Sequence, residues 1–305
     1  MAFDRARYGD LYPFAPHYLD RGGVRMHYVD EGAGEPVVMV HGNPSWSFYY
    51  RKLALALRDD HRVIVPDHIG CGLSDKPGDD RYDYTLARRV EDLEALLDHL
   101  GLTEPITLVV HDWGGMIGFA YATRRPERIK RLVVLNTAAF PLPSSKPFPA
   151  ALRLGRDTPL GAWLIRGLNA FAVGASLIGT KEHPMSSRLR EAYVAPYDTW
   201  ENRIATLRFV QDIPLAPTDR AWEVVAEVER HLERLRDVPM FIGWGERDFV
   251  FDRHFLDEWT RRFPEAEVHR YPDAGHYVLE DVGEALIPLI RQFMTRVPAA
   301  ARREH

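Results

Sequence analysis

An apolar run that ends at an aspartate is the feature of this sequence with the clearest chemical meaning. Residues 106–111 are mostly aliphatic, Asp112 follows them, and Trp113, Gly114 and Gly115 come next. This pattern predicts a strand that passes through a sharp turn into a helix, with the acid at the turn. A carboxylate presented there can displace a leaving group from a saturated carbon and form an ester with the substrate.

Turns of this kind carry the nucleophile in hydrolases whose elbow reads Gly-x-Ser-x-Gly. Here Gly114 keeps the second glycine, Val110 stands at the first, and Asp112 takes the place of the nucleophile. A serine at this position attacks carbonyl carbons, whereas a carboxylate is suited to sp³ carbons. We therefore predict that Asp112 is the catalytic nucleophile.

Two later segments supply the groups that such a nucleophile needs. Asp248 follows the predicted strand 239–242, and His276 follows the last predicted strand. The order nucleophile, acid, histidine is the order found in α/β hydrolases. We expect His276 to activate water against the ester and Asp248 to orient its imidazole. Glu246 is the second choice for the acid.

Donors for a leaving group are predicted at Asn43 and Trp113. Asn43 follows His41 and Gly42 at the end of an earlier strand, and Trp113 follows the nucleophile. Residues at these two positions supply the backbone N–H groups of the oxyanion hole. Their side chains add an amide and an indole donor, both without charge. Such donors can hold a departing halide or carboxylate without pairing permanently with Asp112. We expect His111 to support this site rather than to catalyse.

Strands and helices alternate through most of the chain. Apolar residues from Leu86 to Leu100 recur at steps of three and four, which predicts an amphipathic helix between Thr85 and Gly101. The predicted strands are 37–40, 63–65, 106–111, 132–135, 239–242 and 267–271. Alternation of this kind predicts an α/β fold with a mostly parallel sheet flanked by helices. Ligands on such sheets bind beyond the carboxyl ends of the strands, where Asp112 falls.

The alternation stops near Phe140 and resumes near residue 239. The intervening stretch begins with four prolines and then has the composition of helices. We predict an α/β-hydrolase core formed by residues 1–140 and 231–305. The inserted residues 141–230 are predicted to form a helical cap over the active site.

Composition limits the function further. The chain has 305 residues, 46% of them hydrophobic, and its net charge of -5 gives no reason to expect a nucleic-acid partner. One cysteine, Cys71, cannot form a disulfide framework or a zinc cluster. No nucleotide-binding glycine motif occurs, so we predict neither a metal nor a cofactor. The sequence also has no signal-peptide pattern and no run of 18 apolar residues, so we predict a cytoplasmic protein without a transmembrane segment.

Taken together, these motifs resemble the haloalkane dehalogenase family of the α/β-hydrolase fold. The resemblance covers roughly residues 18–294. Its anchors are residues 41–44, 111–115 and 273–276.

The resemblance implies a role for each candidate residue. It matches Asp112, His276 and Asp248 to the nucleophile, the base and the acid, and Asn43 and Trp113 to the halide-stabilising pair. One branch of the family places the acid after the strand that follows the elbow. Asn136 stands near that position here and cannot act as a carboxylate, which favours Asp248.

Within this family the chain is most similar to the third subfamily, which overlaps the cis-β-lactone decarboxylases of bacterial long-chain olefin biosynthesis. Residues 195–203 and 244–252 carry this finer similarity. It implies a small apolar substrate and association with other olefin-biosynthesis enzymes.

The activity that we expect is decarboxylation of long-chain cis-β-lactones to cis-alkenes and carbon dioxide. The apolar stretch 160–173 suits hydrocarbon chains. Asp112 could attack either the ring carbon bonded to oxygen or the lactone carbonyl. Haloalkane hydrolysis is the alternative activity, followed by epoxide hydrolysis and by a non-catalytic binding role. An epoxide hydrolase needs tyrosine acids, and Tyr193 and Tyr197 lie in the predicted cap.

Overall fold

A computed structural model describes residues 4–296, and one eight-stranded sheet forms its centre. The strands are β1 (His17–Asp20), β2 (Arg25–Glu31), β3 (Glu35–Val40), β4 (His61–Pro66), β5 (Ile106–Asp112), β6 (Ile129–Thr137), β7 (Met240–Gly245) and β8 (Glu267–Tyr271). Their order is β1-β2-β4-β3-β5-β6-β7-β8. The pairs β1–β2 and β2–β4 are antiparallel and the other pairs are parallel. The predicted mostly parallel sheet is confirmed.

Helices cover both faces of this sheet. The α-helices are α1 (Arg5–Tyr8), α2 (Arg51–Leu57), α3 (Leu86–His99), α4 (Trp113–Arg124), α5 (Ala150–Asp157), α6 (Pro159–Leu168), α7 (Ala170–Ile178), α8 (Ser187–Val194), α9 (Ile204–Gln211), α10 (Trp222–His231), α11 (Arg253–Arg262), α12 (Val278–Asp281) and α13 (Gly283–Arg296). Short 3₁₀ turns lie at Ser47–Tyr50, Pro126–Arg128, Ala195–Tyr197, Glu201–Arg203 and Leu232–Leu235.

The central strands are apolar throughout because both of their faces are covered. All seven residues of β5 are buried. Leu108 and Val110 join the apolar cluster on one side of the sheet, and Val109 joins the cluster on the other. Continuous apolar runs of this kind are expected in parallel strands packed between two helical layers. Asp112 is the last residue of β5, so it lies at the carboxyl edge of the sheet.

Signals in the local sequence predicted helix α3 correctly but did not predict the first two strands. The helix predicted between Thr85 and Gly101 is present as α3, and the Thr85 side chain accepts a hydrogen bond from the backbone of Arg88. Gly101 has φ +57, a conformation that favours glycine. The antiparallel strands β1 and β2 were not predicted, because β2 mixes charged and apolar residues without clean alternation.

A long helical stretch separates β6 from β7. Among the described residues, 138–239 contain no strand, and α5, α6 and α9 pack against one another there. By contrast, α10 packs against α4 beside the sheet. The boundaries 141 and 230 of the cap stay a prediction.

Candidate active site

Asp112 occupies a strained turn between β5 and α4. Its backbone has φ 53 and ψ −129, a conformation that residues other than glycine rarely adopt. The turn is possible because a glycine stands two positions after the acid. A Cβ on Gly114 would lie 1.9 Å from the carbonyl oxygen of Val40. The glycine after the acid therefore lets the start of α4 approach β3, and the acid side chain is presented above the sheet.

Backbone donors hold the Asp112 carboxylate in place. The N–H of Asn43 donates to Oδ1 at 2.6 Å, and the backbone N–H of Trp113 also bonds this carboxylate. A Cβ on Gly42 would lie 2.0 Å from Oδ1, so only glycine leaves room for the acid. The two residues predicted for the oxyanion hole thus both contact Asp112 through their backbones.

The structure brings His276 and Asp248 to the same place. Nε2 of His276 lies 3.7 Å from Oδ2 of Asp112, and Nδ1 lies 2.8 Å from Oδ2 of Asp248. The backbone N–H of Val250 donates to the other oxygen of Asp248 at 2.7 Å. Nucleophile, histidine and acid therefore form a connected chain, the geometry that a triad requires. Their catalytic roles stay predictions. Glu246, the second choice, contacts Arg270 at 3.1 Å instead.

Asn136 and His111 support this chain of groups. The amide of Asn136 donates to Oδ2 of Asp248 at 3.1 Å and accepts a hydrogen bond from the backbone N–H of Gly245 at 2.8 Å. Nε2 of His111 contacts the carbonyl oxygen of His276 at 2.8 Å. Asn136 therefore holds one oxygen of Asp248 in place through its amide. The sequence analysis showed only that Asn136 cannot be the acid that pairs with His276.

Burial and charge shift the acid–base properties of the site. Burial raises the pKa of Asp112 to about 6, against the opposing effects of His276 and of the Asn43 and Trp113 N–H groups. Burial lowers the pKa of His276, but the Asp248 and Asp112 carboxylates outweigh it, so the net shift is upward. A protonated imidazole beside an ionised Asp112 is therefore favoured near neutral pH.

These shifts predict an acid limb in the pH profile. A protonated Asp112 cannot attack carbon, so log kcat/KM for an uncharged substrate should fall below an apparent pKa of about 6. The slope should be about one, and the limb belongs to the interacting Asp112–His276 pair. A pH series of initial rates measures it. An acid limb near the ordinary aspartate value of 3.8 would contradict the predicted effect of burial.

An apolar cavity of about 250 Å³ lies over Asp112. Residues of both the sheet edge and the helical stretch line it. Among the described residues, five with polar side-chain atoms line it: Asn43, Asp112, Trp113, Lys146 and His276. A cavity of this composition suits a hydrocarbon chain with its reacting carbon at the polar cluster.

The two proposed leaving-group donors both reach the cavity. The amide nitrogen of Asn43 donates to the carbonyl oxygen of Thr206 at 3.1 Å, which leaves one of its two N–H groups for another acceptor. Trp113 also lines the cavity, and its indole N–H has no hydrogen-bond partner among residues 4–296. These positions are compatible with binding a leaving group.

Neither candidate tyrosine reaches the cavity. The Tyr193 hydroxyl donates to Oε1 of Glu280 at 2.6 Å, and the Tyr197 hydroxyl donates to the carbonyl oxygen of Ser45 at 3.4 Å. Among the described residues, no tyrosine lines the cavity. The structure therefore provides no tyrosine acid for an epoxide.

Lys146 is a cavity residue that the sequence analysis did not single out. Its ammonium group contacts the Asp252 carboxylate at 2.6 Å, and the side chain is buried. It lies in a proline-rich segment without periodicity, so no local signal indicated where it points. In the part of the chain that the structure describes, no group of three His, Cys, Asp or Glu residues could hold a metal ion.

Comparison with known proteins shows which families this chain is similar to. A family profile described as the alpha/beta hydrolase fold matches residues 35–281. The cis-3-alkyl-4-alkyloxetan-2-one decarboxylase of Shewanella oneidensis is 60% identical over 291 residues, which cover 95% of this chain and 92% of that protein. The protein of the same name from Xanthomonas campestris pv. campestris is 55% identical over 295 residues, with coverage of 94% and 98%.

A solved structure extends the similarity to the fold. Haloalkane dehalogenase DbeA from Bradyrhizobium elkani has a TM-score of 0.83 and 27% identity, covering 94% of this chain and 100% of its own. The predicted family resemblance is confirmed. The chain therefore belongs to the α/β-hydrolase fold family, in the group that contains the cis-3-alkyl-4-alkyloxetan-2-one decarboxylases and the haloalkane dehalogenases.

Proposed function

We propose that this protein decarboxylates cis-3-alkyl-4-alkyloxetan-2-ones, which are cis-β-lactones, to a cis-alkene and carbon dioxide. The observation that carries the proposal is the buried Asp112 carboxylate beneath an apolar cavity, in contact with uncharged donors. Two relatives that share 60% and 55% of their aligned residues with this chain bear the name of this activity. They supply the substrate class, which an apolar cavity alone does not specify.

In the first step we assign Asp112 to attack the ring carbon that carries the ring oxygen. The bond between that carbon and the ring oxygen breaks, and an ester to Asp112 forms. The freed carboxylate stays on the neighbouring carbon, where the Asn43 amide and the Trp113 indole are placed to receive it. Neutral donors suit this task because they do not compete for the Asp112 charge.

In the second step the bond from the neighbouring carbon to the carboxylate breaks. Its electron pair forms the carbon–carbon double bond, and Asp112 leaves with the electrons of its ester bond. Carbon dioxide and the alkene are released, and neither water nor a net proton is consumed. Because the first step inverts the attacked carbon, an anti elimination keeps both alkyl groups on one side, as a cis-alkene requires.

His276 and Asp248 act in this scheme through charge. Asp248 holds the imidazole at 2.8 Å and favours its protonated form, and that cation favours ionised Asp112. The nucleophile thus stays charged although it is buried.

Hydrolysis of 1-haloalkanes is the second candidate function. The observation that favours it is the hydrogen-bonded His276–Asp248 pair, because an alkyl ester of Asp112 is hydrolysed only if a base activates water. A parallel assay with a long-chain cis-β-lactone and a long-chain 1-bromoalkane distinguishes the two. Alkene release from the lactone at a much higher kcat/KM supports the proposal. Faster bromide release, with no alkene formed, would overturn it.

The variant His276→Ala separates the two second steps. If hydrolysis regenerates Asp112, the alkyl-enzyme should accumulate in this variant and add the alkyl mass to the intact protein. With the lactone, elimination needs no base, so we expect little covalent adduct. Intact-mass spectrometry after incubation with each substrate measures this. A stable lactone adduct on His276→Ala would contradict the water-free second step.

The cap, the cellular location and the partners of the enzyme are also proposals. We propose that residues 141–230 close the cavity as a cap and that the protein works in the cytoplasm with other olefin-biosynthesis enzymes. Long-chain lactones and alkenes dissolve poorly in water, so direct transfer between enzymes would be advantageous. No single described helix has the length and composition to cross a bilayer; α6 and α7 meet those criteria only when taken together across a 74° bend.

A further inference from the structure

Exposed apolar side chains are concentrated on the helices above the cavity. Among the described residues, nine large apolar side chains are exposed, and only Tyr18 lies outside residues 154–200. Six of them lie on α6 and α7, and we call this set the outer cap face: Leu160, Trp163, Leu168, Val173, Leu177 and Ile178. Such a concentration on one surface usually marks an interaction site.

The outer cap face is built from neighbouring positions on two adjoining helices. Leu160 and Trp163 are three residues apart on α6, and Val173 and Leu177 are four apart on α7, so each pair lies on one side of its helix. The two helices contact each other and meet at Asn169. The exposed apolar side chains of the two helices are therefore close to one another on the protein surface.

We propose that the outer cap face docks on the surface of an anionic lipid bilayer. Two helices of ten and nine residues with a sharp bend between them are too short to span a bilayer individually, which takes about 20 residues per helix. Their inner sides belong to the protein interior, where Ile165 and Ala175 are buried. An apolar outer side and a buried inner side fit a helix pair lying in the membrane interface.

Charge favours an anionic surface. Residues 150–182, which hold α5, α6 and α7, contain four basic and two acidic residues, although the whole chain has a net charge of -5. Arg153 and Arg156 both lie within ion-pair distance of Asp157, so Arg166 and Lys181 are the cations that remain for a lipid headgroup. Cations near an apolar helical face strengthen its attraction to anionic lipids.

Tryptophan residues at the edge of the outer cap face also favour a lipid bilayer as its partner. The Arg166 guanidinium lies 4.6 Å from the centre of the Trp200 ring, and its Nε donates to the Trp200 carbonyl oxygen at 3.2 Å. Trp163 is half exposed on the neighbouring side of α6. Tryptophan and arginine are enriched where proteins meet the headgroup region of a membrane.

The outer cap face also connects to the cavity. Ile178 is exposed and lines the cavity, and Phe171 and Gly174 of the same helix line it as well. A docked bilayer would therefore lie beside a wall of the substrate site, so that an apolar substrate could pass from lipid to protein without entering water. The docking itself does not depend on the proposed reaction.

Vesicle co-sedimentation of the full chain tests the proposal. The probes are vesicles of phosphatidylethanolamine with phosphatidylglycerol and, for comparison, vesicles of phosphatidylcholine. The test variant is Leu160→Ser/Leu177→Ser, since both side chains are 58% exposed and neither lines the cavity. The matched control is Tyr18→Ser. This variant also removes an exposed apolar side chain, but Tyr18 does not belong to the outer cap face. Thermal melting and far-UV circular dichroism check that each variant is folded.

We expect the wild-type protein to sediment with the anionic vesicles and to bind phosphatidylcholine more weakly. The double variant should bind anionic vesicles roughly tenfold less tightly or worse, whereas Tyr18→Ser should bind like the wild type. Absence of wild-type binding, equal binding to both lipids, or an equal loss in Tyr18→Ser would overturn the proposal. So would a dimer, or a complex with another olefin-biosynthesis enzyme, that the double variant abolishes while vesicle binding persists. None of these readouts depends on lactone decarboxylation.

Discussion

Replacing Asp112 with asparagine is expected to reduce kcat by a factor of about 10⁴ or more while the protein stays folded. Asparagine has nearly the same shape, and its side-chain oxygen can still accept the hydrogen bond from the Asn43 backbone, which spans 2.6 Å in the structure. It cannot form the ester, because an amide is a poor nucleophile at neutral pH. The measurement is single-turnover kinetics with the lactone, with circular dichroism as the check on folding.

The matched control for this variant is Asp212→Asn. Asp212 is also buried, and burial raises its pKa to about 6, as for Asp112. It does not line the cavity, and it accepts a hydrogen bond from the backbone N–H of Leu86 at 2.7 Å. Nη1 of the buried Arg89 lies 3.9 Å from the Asp212 carboxylate, so circular dichroism is the check that this variant is folded. The folded variant should keep turnover within a few-fold of the wild type. Wild-type rates in Asp112→Asn, with intact mass excluding deamidation, would refute the assignment of the nucleophile.

Replacing Glu280 with alanine is expected to lower the free energy of unfolding by about 3–5 kcal/mol. Glu280 is buried and forms a two-pronged ion pair with Arg51, in which Nη2 of Arg51 lies 3.0 Å from Oε2. It also accepts the Tyr193 hydroxyl at 2.6 Å, and Lys52 lies 3.3 Å away. Without the carboxylate, the buried Arg51 guanidinium loses its counter-charge and Tyr193 loses its acceptor. Urea denaturation measures the change.

An exposed ion pair provides the control for this prediction. Asp83 contacts Arg220 at 2.8 Å, and both side chains are well exposed. Solvent screens such a pair, so Asp83→Asn should change the free energy of unfolding by less than about 1 kcal/mol. Equal losses in the two variants would mean that burial of the Glu280 pair has no special effect. Because Tyr193 belongs to α8 and Glu280 follows His276 closely, the Glu280 variant should also lower turnover.

The ends of the central strands were predictable because the signal is local. A run of aliphatic residues that stops at Asp112, with Gly114 two positions later, specifies the elbow from neighbouring residues alone. The order of Asp112, Asp248 and His276 is equally visible in the sequence. Strand β2 was missed because its own pattern does not alternate cleanly. Its pairing with β4 joins Tyr28 to Pro66 and Glu31 to Val63, which no local signal indicates.

Contacts between distant residues were not predictable. Nothing local to Asn136 indicates that its amide donates to Asp248, 112 positions later, at 3.1 Å. Tyr193 and Tyr197 lie in the predicted cap segment, as an epoxide hydrolase would need, yet both hydroxyls contact buried polar partners and neither residue lines the cavity. The side to which a helical residue turns depends on how the helix packs, and this is set by elements far away in sequence.

The sequence by itself determined that an aspartate stands in a sharp turn at a sheet edge, and it determined the family, because such turns and strand endings depend on adjacent residues. Only the tertiary structure decided which groups surround that carboxylate, which side chains of residues 141–230 reach the cavity and which apolar side chains of α6 and α7 face solvent. These properties depend on burial and on distances across the folded chain. The pKa of Asp112, raised to about 6 by burial, is one such property, since no stretch of sequence specifies what excludes water from it.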